Sequence, residues 1–120
     1  MLVYGFTEEK MGVMYMENTL EAMQAFVGGR IEKTALTDCI AIISNEDSIR
    51  LGLKPRIIFR NNEEFMNAII LGDCFVCRHD SCGNFTSIQK EDEEIIAKQL
   101  IHLNQEKLAS FGILFLLASK

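Results

Sequence analysis

Residues 72–85 read GDCFVCRHDSCGNF, and the conformation of Cys74–His79 within them decides what kind of fold the chain has. Three of the four cysteines and one of the two histidines lie in this stretch. Cys74 and Cys77 have the C-x-x-C spacing, His79 follows two residues later, and Cys82 closes the group. Folded as a tight turn, Cys74–Cys77 would be half of a zinc knuckle, because a structural zinc takes four thiolate or imidazole ligands in a tetrahedron. Folded as a strand, the same residues cannot share a metal, since side chains three apart point to opposite faces. The intervening pair is Phe75-Val76. Such residues favour a strand, whereas a knuckle wants glycine or polar residues there. We therefore expect a strand over 74–79, followed by a turn through Asp80, Gly83 and Asn84.

Cys74, Cys77, His79 and Cys82 remain the candidate metal ligands, and they have the right number for zinc. Their spacing within one short segment and the lack of a second C-x-x-C weigh against it. Cys39 stands alone on an apolar run. A redox role needs the first cysteine at a helix N-terminus, where its thiolate is stabilised. Phe75-Val76 disfavours that as well. Cys77 and His79 share one strand face, yet no neighbouring residue stands out as the third group that would orient a nucleophile and its base. The preferred reading is buried or half-buried cysteines acting as small hydrophobes. No catalytic and no cofactor-binding residue is assigned, and no cofactor is expected.

Working outward, the apolar runs MLVYGF and MGVMYM flank the polar TEEK and read as two strands of a hairpin. ENTLEAMQAFVGGRIE follows. Asn18 is a good N-cap with Glu21 three residues on, Leu20, Met23, Phe26 and Val27 form one helical stripe, and Gly28-Gly29 ends the helix. RIEKTAL alternates, with one solvated face, whereas CIAIISN is continuously apolar and reads as a central strand covered on both sides. Residues 45–56 read as a loop, and IIFR as a short edge strand. In EEFMNAIILGDCFVCRH, Phe65, Ala68 and Ile69 fit a helical turn, and AIILGDCFVCR fits one long strand bent at Gly72. The last helix is read from TSIQKEDEEIIAKQLIHL, capped by Thr86 or Ser87. Ile96, Leu100 and Leu103 form its inner stripe, Glu94 pairs with Lys98, and His102 sits at its C-terminal end. The apolar FGILFLL at 111–117 then needs cover from this domain or from a partner chain.

The fold expected is α+β: a mixed or mainly antiparallel sheet with one short helix and one longer C-terminal helix. Residues 1–104 are expected to form a single domain, and 105–120 an apolar extension packing on it or on a partner chain.

Bulk properties exclude some functions. The chain has 120 residues, 48% apolar, 24% charged and a net charge of −5, the balance of a folded domain with its own core. Its basic residues are scattered singly, so the clustered cations that displace counterions from a nucleic acid are missing, and no nucleic-acid partner is expected. The start MLVYGFTEEK lacks the features of an export signal, and FGILFLL is shorter than the roughly 20 residues a bilayer span requires. A cytoplasmic location, reduced cysteines and no membrane partner are the corresponding expectations. No Gly-rich phosphate loop is present, since VGGR reads as a helix cap. Four of the six methionines lie within 11–23 and read as core filling before a soft binding groove.

NTLEAMQAFVGGRIE at 18–32 resembles a signature of a small uncharacterised domain family, a domain of unknown function, carried by phages and conjugative elements of Firmicutes and related gut bacteria. IISNED, GLKPR, LGDCFVC and NFTSI are similar to further features of that family, so the likeness covers residues 1–103. It departs after residue 104 and at the four candidate ligands, where the family shows ordinary apolar or polar residues. The resemblance implies a compact α+β domain on a mobile genetic element, and it brings no reaction and no catalytic residues. The function expected is a non-enzymatic accessory or regulatory protein that binds another macromolecule, a protein, with a host-defence component as one concrete version. The alternative is a small-ligand or zinc-binding module using the Cys74–Cys82 segment. Homodimerisation through a strand edge or the tail is compatible with either.

Overall fold

The computed structural model describes residues 1–61 and 66–104. In it, Cys74–His79 is a strand, and the rest of the architecture is arranged around its two faces. β1 (Leu2–Phe6) and β2 (Met11–Tyr15) form the expected hairpin, and α1 (Leu20–Val27) follows. β3 (Ile31–Ala35) and β4 (Ile40–Asn45) make a second hairpin. β5 (Pro55–Asn61) and β6 (Met66–Leu71) precede β7 (Cys74–His79). β8 (Phe85–Thr86), α2 (Lys90–Gln99) and β9 (Leu100–His102) complete the described elements.

The larger sheet has the order β2-β1-β7-β4-β3, with β8 pairing the end of β7. A second sheet has the order β6-β5-β9. Every pairing among the described strands is antiparallel. The α+β class and the antiparallel character are as expected, but there are two sheets instead of one. Their separation starts at Gly72-Asp73. Gly72 has a φ of +81°, and a Cβ there would lie 2.6 Å from Leu53 Cδ1, so glycine lets β6 break away from β7 at a close approach. The 66–79 segment is thus two strands in two sheets, neither one bent strand nor a helical turn. Phe65 lies outside the described residues, as does the 105–120 extension.

Two cores result. Phe6, Ile42, Cys74 and Val76 meet Ile57 and Phe59 of the small sheet together with Ile96 of α2. On the other face Val3, Ala41, Ile43, Phe75 and Cys77 meet Met16 and the α1 residues Met23 and Val27. Alternation along β7 and β4 feeds both cores in turn, which is why these strands carry no solvated position in their middles. Burying a side chain of this size is worth roughly 1.5–3 kcal/mol, so the two central strands supply much of the driving force.

Several local expectations are corrected. The N-cap of α1 is Thr19, whose Oγ1 accepts from the Ala22 N–H at 3.1 Å. Asn18 instead donates from Nδ2 to the Phe85 carbonyl at 2.9 Å, tying the helix entry to β8, and this register leaves Glu21 too early to close a capping box. β5 is the middle strand of its sheet, not an edge, because Ile57, Ile58 and Phe59 are all buried. Pro55 opens it, where a missing N–H is tolerated. The alternation of β3 is imperfect, with Glu32, Lys33 and Ala35 exposed and Ile31 and Thr34 half-buried.

The cap of α2 is Gln89, whose N–H donates to Asp92 Oδ2 at 2.7 Å. Thr86 belongs to β8, and Ser87 Oγ accepts from the Leu2 N–H at 2.8 Å. The helix stops at Gln99, and Leu100–His102 turns into β9 by pairing with β5, an exchange of one more helical turn for a ladder with Leu100 inside. His102 therefore does not cap a helix. Its Nε2 lies 2.6 Å from the Thr7 carbonyl, and its ring packs on Phe6 with centroids 6.0 Å apart. Glu94 and Lys98 pair at 3.2 Å as expected.

One ion pair fastens α2 to β7. Arg78 reaches Asp92 through two bonds, Nε to Oδ2 at 2.6 Å and Nη2 to Oδ1 at 2.8 Å. Asp92 is fully buried. The bonds from Arg78 hold its carboxyl below the usual range, against an opposing push from burial. A carboxyl with a depressed folded pKa contributes stability above its unfolded pKa of about 3.9. This contribution is therefore complete at neutral pH and is lost as pH falls below about 4. Asp92→Asn should cost about 3 kcal/mol at pH 7, the lower end for breaking a buried pair because Arg78 keeps some access to water. Urea unfolding at pH 7 and in acid checks this: the gap to the parent should close on acidification, and equal stability at pH 7 contradicts the role.

Candidate functional site

Each expected site residue has a definite place. Cys74 lies in the core under the small sheet, and Cys77 in the core under α1, on opposite faces of β7. His79 ends the strand half-buried, paired with Phe85 of β8. Cys82 is exposed in the following turn. That turn is organised by Asp80, whose Oδ1 accepts from the N–H groups of Cys82 and Asn84, each at 2.9 Å. These bonds, Asn84's first, hold the Asp80 carboxyl below its ordinary range. Cys39 precedes β4, and its half-buried sulfur accepts from Arg78 Nη1 at 3.6 Å. Among the described residues no group of three or more His, Cys, Asp or Glu side chains is placed to hold a metal ion.

Burial pushes the thiols of Cys74 and Cys77 up to about 12. At physiological pH both are then protonated, and a thiol is a far poorer nucleophile or ligand than a thiolate. Met16 and Met23 fill the core beneath α1, whereas Met11 is exposed. The methionine-rich hairpin is therefore core on one face and open on the other.

That open face is the first surface with binding chemistry. Met11, Val13 and Tyr15 alternate along β2 and are 51%, 45% and 74% exposed, and Leu2, opposite Tyr15, is 47% exposed. They share the face of Phe6 and Tyr4, yet the small sheet and α2 do not extend over them. The second surface is a cleft of about 430 Å³ at the end of α1, bordered by the 52–56 segment and the Gly72-Asp73 turn. The sequence did not single out the cleft, and it touched the stripe only through the methionines of 11–23, read as core filling before a binding groove. The stripe was hidden because alternation reveals a face without revealing what covers it, and the cleft because its walls are distant in sequence.

These features define a two-sheet α+β domain whose cysteines are parted by its central strand. The family model described as Domain of unknown function (DUF3846) matches residues 5–101, so the chain belongs to that family. No curated protein and no solved structure matches it. No helix among the described residues is long and apolar enough to cross a membrane.

Thiol reactivity tests the placement. Iodoacetamide at neutral pH should alkylate Cys82 first, Cys39 more slowly, and Cys74 and Cys77 only after denaturation, as peptide mass mapping would show. Rapid modification of Cys74 or Cys77 in the folded protein would contradict their burial.

Proposed function

We propose that this protein is a non-enzymatic accessory protein that acts by binding another protein along β2. The observation that carries this reading is the contrast between the two edges of the larger sheet. β3, at one edge, exposes Glu32 and Lys33, the kind of charged edge that discourages a further strand. β2, at the other, reads MGVMY without a charge and presents Met11, Val13 and Tyr15 to solvent. An uncharged edge beside an apolar stripe suits strand addition, in which main-chain bonds give affinity and alternate side chains give specificity. Tyr15 is the natural anchor, since an exposed tyrosine offers a large apolar face at low entropic cost.

The setting on a mobile genetic element, with a host-defence component as the bound protein, rests on the resemblance of residues 18–32. The net charge of −5 also suits a basic partner better than a nucleic acid. Self-association through β2 is the second reading, supported by the same uncharged edge.

A photocrosslinking residue at Val13, compared with one at Thr34 on β3, tests this in host lysate. The expected result is a discrete heterologous adduct from position 13 alone, suppressed by excess parent protein but not by a Val13→Lys/Tyr15→Lys variant. An adduct of twice the chain mass alone would replace the reading with self-association. Equal adducts from both positions, or none, would overturn it.

A further inference from the structure

Residues from three separated stretches, Val27-Gly28, Leu53-Lys54 with Arg56, and Gly72-Asp73, come together at the cleft beside the end of α1. Gly28 and Gly72 on its border both have left-handed backbones, with φ of +82° and +81°. Side chains there would be strained, and the borders stay bare. Phe26 and Leu53 supply apolar wall, and Lys54, Arg56, Asp73 and Glu8 supply charge.

Arg56 is the unusual member. It is only 6% exposed, and its Nη1 donates to the Leu103 carbonyl at 3.3 Å. Its Nε makes no hydrogen bond among the described residues. Asp73 Oδ1 lies 3.3 Å from that Nε, close enough for charge attraction but out of line for a bond. A buried cation normally has its donors satisfied, because an unmade bond in the interior is costly. The carboxylate that should satisfy this one is a half-exposed side chain that accepts no hydrogen bond from a described residue. Lys54 lies two residues before Arg56, borders the same cleft and has no ion pair among the described residues.

We propose that this cleft binds a small monocarboxylate with an apolar body. The ligand's carboxylate takes the position that Asp73 fills imperfectly, between Lys54 and the unpartnered Nε of Arg56, with a charge-assisted bond from that Nε. Its body lies against Phe26 and Leu53. Glu8 and Asp73 also border the cleft and repel a second negative charge, so a singly charged carboxylate is preferred to phosphate. The cleft volume of about 430 Å³ falls in the range of small-molecule sites. This site is separate from the β2 edge, and either assignment stands without the other.

Titration of the ¹⁵N-labelled full chain with benzoate and hexanoate, followed by NMR, tests the proposal. Both acids should shift the amides of Gly28, Lys54 and Gly72 and the Arg56 Nε–H saturably, while benzamide and inorganic phosphate should not. Asp73→Asn, which removes the competing carboxylate at an exposed position, should tighten benzoate several-fold. Lys54→Glu should weaken it about tenfold or more, a change of about 1.4 kcal/mol. The proposal is overturned by no saturable shift with either acid, by equal binding of benzamide or phosphate, or by affinities that neither variant changes.

Discussion

β7 must bury both of its faces at once, and this constraint organises the molecule. A strand between two neighbours in a sheet has its backbone groups satisfied by ladder bonds, but its side chains still project in two directions. In β7 those directions are occupied by Cys74 and Val76 on one side and Phe75 and Cys77 on the other. One layer of cover is therefore insufficient. α1 covers the Phe75 face, and the small sheet with α2 covers the Cys74 face. The bidentate Arg78–Asp92 bond then fixes α2 at the end of the same strand, just where the apolar alternation gives way to polar residues.

The cover is uneven, and the unevenness leaves the chemistry at the margins. The second layer reaches β7, β4 and Phe6 but stops short of β2, leaving an apolar stripe on an edge that no described strand pairs. Where the small sheet parts from the large one at Gly72, a cleft opens with a buried guanidinium at its border. Both features are consequences of dividing the strands between two sheets. An exposed apolar stripe and an open cleft thus coexist with an interior filled by ordinary packing, in which no described residues assemble a metal site.

Much of this was legible from local pattern. Phe75-Val76 between the cysteines marked a strand, the continuous run of Ile40–Ile43 marked a doubly covered one, and Gly28-Gly29 marked the end of α1. Each depends on residues close in sequence. What was illegible depends on residues far apart. IIFR could not be assigned as a central strand without β9, which pairs with it from some forty residues away, and LIHL continues a helical period as readily as it makes a strand. By type Asn18 is a better cap than Thr19, and its bond to the distant Phe85 carbonyl accompanies the choice of Thr19. Asp92 stands in a run of four acids, Glu91 to Glu94, of a kind that suits any helix start, and only Arg78 on another element distinguishes it. For the candidate ligands, strand alternation placed Cys74 and Cys77 on opposite faces, but the cores behind those faces became visible only with the fold.

The central claim is that Cys74–Cys77 is a strand whose thiols enter different cores. Its most direct test is the native mass of the full chain, purified without added metal or chelator. The account predicts a mass equal to the polypeptide alone, or a whole multiple of it. An increment of one zinc ion per chain, removed together with the fold by a chelator, would contradict it and restore GDCFVCRHDSCGNF as a metal knuckle.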